Sequence, residues 1–181
     1  MKLFISADIE GCVGTTLASE THKETPEYRQ FAKRMTDEVR IVCQAALEAG
    51  ADEIVVKDGH GDATNIDFTA MPEGVTLIRG KSGHPYNMMF GLDETFDGVL
   101  YVGYHAPAGN GGNPISHTST GNSNQILLNG KVMSEFMLNT YTAAMMGVPA
   151  VFISGDEGIC GLAREMVPGI TTAAVKKGVG A

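Results

Sequence analysis

The 181 residues can bury one sizeable core, and a hydrophobic share of 43% with 19% charged residues excludes a disordered or fibrous chain. A formal charge of −8 argues against a nucleic-acid partner, because phosphate binding needs clustered Lys and Arg. No apolar stretch approaches the roughly 20 residues that cross a bilayer, and MKLFISADIEG turns acidic before a signal-like region develops, so no membrane association and a cytoplasmic location are expected.

In chain order, Lys2 to Ala7 is a short apolar run that ends in the polar DIEG, as a buried strand does when its carboxyl end emerges into a functional loop. Thr25-Pro26 is a helix-start signal. Tyr28, Phe31, Met35, Val39, Val42 and Ala46 follow at three- and four-residue spacing, and Gly50 stops the helix. Glu53 to Lys57 predicts a second strand running into the glycine-rich turn DGHGD, which carries His60. Val75 to Ile78 is a third strand, and Val99 to Val102 a fourth that delivers His105 just beyond its end.

Residues 106 to 123 are rich in Gly, Asn, Ser, Thr and Pro, too polar for core and long enough for a working loop, and they contain His117. Asn124 to Leu128, Asn129-Gly130 and Lys131 to Met133 predict a β-hairpin, because Asn-Gly supplies the positive φ angles of a type I′ turn. Ser134 caps a helix through Met146. Pro149 to Ser154 is another buried strand, Glu157 to Met166 a short helix, and Thr171 to Lys176 a last β-like piece. Strands alternating with helices imply a single α/β domain over residues 1–181, with a mainly parallel sheet flanked by helices in three α/β/α layers and a small hairpin. In such sheets ligands bind beyond the carboxyl ends of the strands.

Asp8 and Glu10 are two residues apart, so on extended backbone both carboxylates project to one side, as metal chelation requires. On its own such a pair is equally a solvated strand end. His60 and His105 alter that balance, since three separate strand ends then bring ligand-type side chains to one rim. Glu135 opens its helix, where a carboxylate either joins the ligands or simply complements the macrodipole. Three carboxylates and two neutral imidazoles suit zinc. Two divalent ions balance three carboxylates and a bridging hydroxide better than one ion does, and a pair of zincs points to hydrolysis. His117 is either a proton-transfer or oxyanion-stabilising residue or an ordinary loop histidine.

Asp58 and Asp62 flank His60, either orienting it or forming the turn. His22 and His84 read as surface or structural residues. Cys12, Cys43 and Cys160 are widely spaced with no CxxC pairing, and free thiols are expected. The methionines fall in or beside apolar segments, as packing residues do. Other catalytic templates are missing: there is no HExxH, GxSxG or P-loop, and AGNGGNP does not match GxGxxG.

SADIEG, KDGHG at 57 to 61, GLDETFDGVLYVGYHA at 91 to 106, SHT at 116 to 118, LNGKVMSEFMLN at 128 to 139 and PAVFISGDE at 149 to 157 resemble the DppA-type zinc D-aminopeptidases, associated with dipeptide transport. The resemblance runs over nearly the whole chain. It implies a dinuclear zinc metallo-aminopeptidase with Asp8 bridging two zincs per chain, Glu10 and His60 on one, His105 and Glu135 on the other, and His117 catalytic. The substrates it implies are short peptides with an N-terminal D-amino acid, often D-Ala, and the assembly is a ring-like homo-oligomer, a pentamer or decamer. Family members continue past the position matching VKKGVGA with a smaller C-terminal portion, so the resemblance also implies a fragment of a longer enzyme. Substrate divergence is expected around Asn110 to Asn113.

Overall fold

The computed structural model describes residues 1–179; the last two residues of the expected domain, Gly180 and Ala181, lie outside them. Six strands form one parallel sheet: β1 (Lys2–Ala7), β2 (Glu53–Asp58), β3 (Val75–Ile78), β4 (Gly98–Tyr104), β7 (Ala150–Asp156) and β8 (Thr171–Lys176). Their spatial order is β3-β2-β1-β4-β7-β8, and every neighbouring pair is parallel. The hairpin of β5 (Leu127–Leu128) and β6 (Lys131–Val132) stands apart, with Asn129 and Gly130 at positive φ as the Asn-Gly turn requires.

Helices cover both faces. Along β1, Leu3, Ile5 and Ala7 point to α1 (Tyr28–Glu48) and meet Met35, Val39 and Cys43 there. Phe4 points the other way, into a second core shared with α2 (Glu135–Met145) and α3 (Glu157–Met166) through Phe136, Ala143, Ile159 and Ala163. A strand buried on both faces must be apolar at odd and even positions alike, which is why β1 and β4 read as continuous runs. The three layers are those expected.

Differences from the expectation lie at element ends. The Thr25 hydroxyl donates to the His22 carbonyl at 2.6 Å instead of capping, and α1 begins three residues later at Tyr28. β4 and β7 each run two residues further, to Tyr104 and Asp156, because polar side chains there are satisfied inside the fold. The hairpin strands keep only two residues each.

Strand order reverses between β1 and β4, so the connections leaving their carboxyl ends diverge and open a crevice. The segment after β1 is drawn tightly over the end of β4: the Asp8 amide donates to the Val102 carbonyl at 2.8 Å and the Gly11 amide to the Gly103 carbonyl at 2.8 Å. A Cβ at Gly11 would lie 1.8 Å from the Tyr104 oxygen, and one at Gly103, which has φ +73°, would lie 2.3 Å from the Asp8 oxygen. Only glycine permits this approach.

Candidate metal centre

The predicted residues converge at the crevice. Asp8 and Glu10 leave β1, His60 follows β2, His105 follows β4, Glu135 is the first residue of α2, and His117 comes from the long polar loop. Asp8, Glu10, His105 and Glu135 are buried, and the His60 side chain is only 13% exposed. Ser134, not Glu135, caps α2 by accepting from the Met137 amide at 3.0 Å, so the Glu135 carboxylate is free to face the crevice.

Asp8 lies between two imidazoles. Its Oδ1 is 3.4 Å from His60 Nδ1 and its Oδ2 is 3.5 Å from His105 Nε2. His60 Nδ1 is also 3.0 Å from Glu10 Oε2, while His105 Nε2 is 3.7 Å from Glu135 Oε1. His117 Nε2 is 3.7 Å from the same Glu135 oxygen, and its ring stacks on His105 with centroids 4.4 Å apart.

Backbone carbonyls set the three tautomers. A carbonyl only accepts, so His60 Nε2–H donates to Thr21 at 2.9 Å, His105 Nδ1–H to Ala106 at 2.9 Å and His117 Nδ1–H to Ile115 at 3.0 Å. In each ring the remaining nitrogen faces the crevice and offers it a lone pair whenever the imidazole is neutral, the orientation that metal-ligating histidines need. With these nitrogens bare, two buried atoms of the cluster, Glu10 Oε2 and His105 Nε2, have no hydrogen-bond partner; outside it the same holds for Thr15 Oγ1 and Glu38 Oε2 among the described residues. Buried polar atoms are ordinarily satisfied, and orphans of opposite residue type facing one crevice fit a divalent cation. Asp8, Glu10 and His105 can present donor atoms within 4.8 Å of one another, as can His105, His117 and Glu135. Nitrogen and carboxylate donors of this kind suit zinc.

The electrostatics point the same way. Burial alone would lower the His60 pKa, but Glu10 and Asp8 outweigh it and push it up to about 11. Burial likewise opposes a charged His105, yet Glu135 and Asp8 raise it to about 10. Asp8 is pushed up by burial and by the Glu10 carboxylate. Glu10 and Glu135 are held low despite burial, by His60 and His105 respectively. The cluster therefore gathers protons to offset its carboxylates, and cations can replace them.

Sequence reading did not find the residues that hold this geometry. Asp156 caps α3 through the Ile159 amide at 2.8 Å and accepts from the Ala106 amide at 2.7 Å and Asn113 Nδ2 at 3.0 Å. Asn113, fully buried, also donates to the Glu10 carbonyl at 3.0 Å. It is thus a strut of the site, although the loop around it was expected to carry substrate divergence. Lys176 of β8 donates to the carbonyls of Glu10 and Thr15. Thr118, beside His117, accepts from the Ala108 amide at 3.2 Å and donates to the Met133 carbonyl at 2.8 Å. Ser119, at φ +58°, turns its amide onto Glu135 Oε1 at 2.8 Å. These contacts span up to 166 residues of sequence, and no local spacing signals them.

Asp58 and Asp62 prove to be turn formers. Asp58 takes the amides of Asn65 and Ile66 at 2.6 and 2.8 Å; Asp62 binds Thr64 and Lys23. The Thr21 carbonyl orients His60 in their place. His22 is exposed, as expected, and lines the mouth of a cavity of about 580 Å³ whose floor is the acidic cluster. The three cysteines are free and buried. Among the described residues no helix is long and apolar enough to cross a membrane.

Residues 1–181 match peptidase family M55, described as D-aminopeptidase. The chain belongs to this family. Among its relatives, the D-aminopeptidase of Bacillus subtilis (strain 168) is 33% identical over 177 residues, a span of 98% of this chain and 64% of that protein. The solved structure of the Zn-dependent D-aminopeptidase DppA from Bacillus subtilis, described as a self-compartmentalizing protease, superposes with a TM-score of 0.92 at 31% identity, again over 98% of this chain and 64% of that one. The chain thus spans just under two thirds of these relatives, and the fold and family expected from its motifs are both borne out.

Proposed function

We propose that this M55 chain is the catalytic portion of a zinc-dependent aminopeptidase that binds two zinc ions and cleaves short peptides carrying an N-terminal D-amino acid such as D-Ala. The observation that carries the reading is the Asp8 carboxylate with one oxygen toward His60 and the other toward His105, with Glu10 Oε2 3.0 Å from His60 Nδ1 and the buried His105 Nε2 without a hydrogen-bond partner. In this reading Glu10 and His60 would hold one zinc and His105 and Glu135 the other, with Asp8 serving both. The name of the Zn-dependent relative supports the metal, and its description as self-compartmentalizing supports a ring-like homo-oligomer.

Bound zinc supplies Lewis-acid polarisation of the scissile carbonyl and lowers the pKa of an attacking water. The remaining work falls to side chains. His117, its Nδ1 tethered to Ile115 and its ring stacked on His105, presents Nε2 at the edge of the cavity. There it accepts the proton released on attack and passes it to the departing amine, which must leave protonated. The test is metal content of the purified chain, about two zincs expected, with hydrolysis of D-Ala-D-Ala and L-Ala-L-Ala before and after chelation. Absence of zinc together with no cleavage after zinc addition refutes it.

A further inference from the structure

The cavity has an uneven charge distribution that the metal centre does not account for. Its floor carries Asp8, Glu10 and Glu135, while among the described residues lining it Lys81 is the one lysine or arginine. Lys81 is exposed at the mouth, and no carboxylate pairs with it among the described residues. Much of the wall between is small and polar, including Ser116, Ser119, Thr120 and Gly121. Such a wall favours a small, charged, hydrophilic ligand over a bulky apolar one.

The backbone that presents Lys81 is held from both sides. The Gly80 amide donates to the Ala63 carbonyl at 2.6 Å, and the Gly80 carbonyl accepts from Lys57 Nζ at 2.9 Å. Lys57, the first residue of the KDGHG segment, is 2% exposed and donates also to the Asp58 carbonyl at 2.8 Å. An ammonium is costly to bury and pairs with no carboxylate here among the described residues; its two carbonyl bonds join the end of β2, which leads to His60, to the turn that carries Lys81. One buried cation therefore couples the position of the rim lysine to that of the metal centre.

We infer that Lys81 binds the C-terminal carboxylate of the substrate, so that the site selects short peptides as free acids and Lys81 determines that specificity; this deepens the proposed peptidase reading and rests on it. With the reacting N-terminal end of a dipeptide at the metal centre, its carboxylate lies toward the rim, where Lys81 is the one lysine or arginine among the described lining residues. Lys57 acts as a positioning residue for this contact.

The test compares D-Ala-D-Ala with D-Ala-D-Ala amide, the same peptide without its terminal charge. For the zinc-loaded wild-type chain the free acid is expected to have the lower KM, by about tenfold or more, as a charged hydrogen bond is worth. Lys81→Met should raise KM for the acid to that of the amide while kcat stays within about twofold, and Lys81→Arg should restore the preference in large part. Calorimetric titration of both peptides into a zinc-loaded His117→Ala chain reads the same preference as Kd, without turnover. Equal affinity for acid and amide in the parent, or a preference that survives Lys81→Met, overturns the inference. A preference for the acid in binding, with no cleavage of either peptide by the wild-type chain, refutes the peptidase reading and leaves Lys81 as a carboxylate site.

Discussion

Stripping the chain of metal and returning zinc at controlled pH tests the electrostatics of the centre. His60 and His105, at about 11 and about 10, both hold protons at pH 7 when no cation is present. Zinc needs their lone pairs, so these protons must leave; Asp8, also pushed up, contributes part of a third. The cost at pH 7 is about 4 kcal/mol at His105 and about 5 kcal/mol at His60, at 1.36 kcal/mol per pH unit. Each ion should therefore release about one proton and bind about tenfold more tightly per pH unit, roughly a hundredfold between pH 6 and 8. The metal-free fold carries the opposite sign: the raised imidazole pKa values stabilise it fully below the ordinary 6.5, and that contribution is lost as pH rises through about 10 to 11. Calorimetry in buffers of different ionisation enthalpy counts the protons. Zinc affinity flat across pH 6 to 8, with no proton release, refutes the proposed compensation.

Asp8→Asn removes one of the two carboxylate oxygens between His60 and His105, and zinc content measured by mass spectrometry should fall from about two per chain to one or none. If two remain, Asp8 does not bridge. His117→Ala should retain its zinc and lose about 10²- to 10⁴-fold in kcat; near wild-type turnover assigns proton transfer elsewhere. Asn113→Ala leaves the Glu10 carbonyl, Asp156 Oδ2 and the Ile115 amide without their shared partner, at a cost of about 2–3 kcal/mol that thermal melting reads as a lower Tm. An unchanged Tm means that the loop is held by other contacts.

The buried strands and the amphipathic α1 were legible in the sequence because their signals are local: continuous apolar runs, three- and four-residue spacing, and an Asn-Gly turn whose positive φ angles follow from covalent sterics. The convergence of four of the six candidate site residues, Asp8, Glu10, His60 and His105, was legible for a related reason, since a ligand-type side chain directly after a predicted parallel strand falls on the carboxyl rim; Glu135 and His117 reach it from a helix start and a loop. Local signals stop at the element ends. They do not show that the Glu135 carboxylate turns toward His105 while Ser134 caps the helix, or that Asp58 closes a turn.

Tertiary structure alone decided which oxygen of Asp8 meets which imidazole, which nitrogen of each histidine is bare, and which residues brace them. Thr21, Asn113, Asp156 and Lys176 act through bonds to backbone or to partners distant in sequence, and such bonds leave no period or spacing behind. Thus the chain order specifies that acids and histidines reach one rim. The placing of one imidazole at each oxygen of the Asp8 carboxylate follows from the reversal of strand order at β1 and from the glycine contact that draws Asp8 over the end of β4.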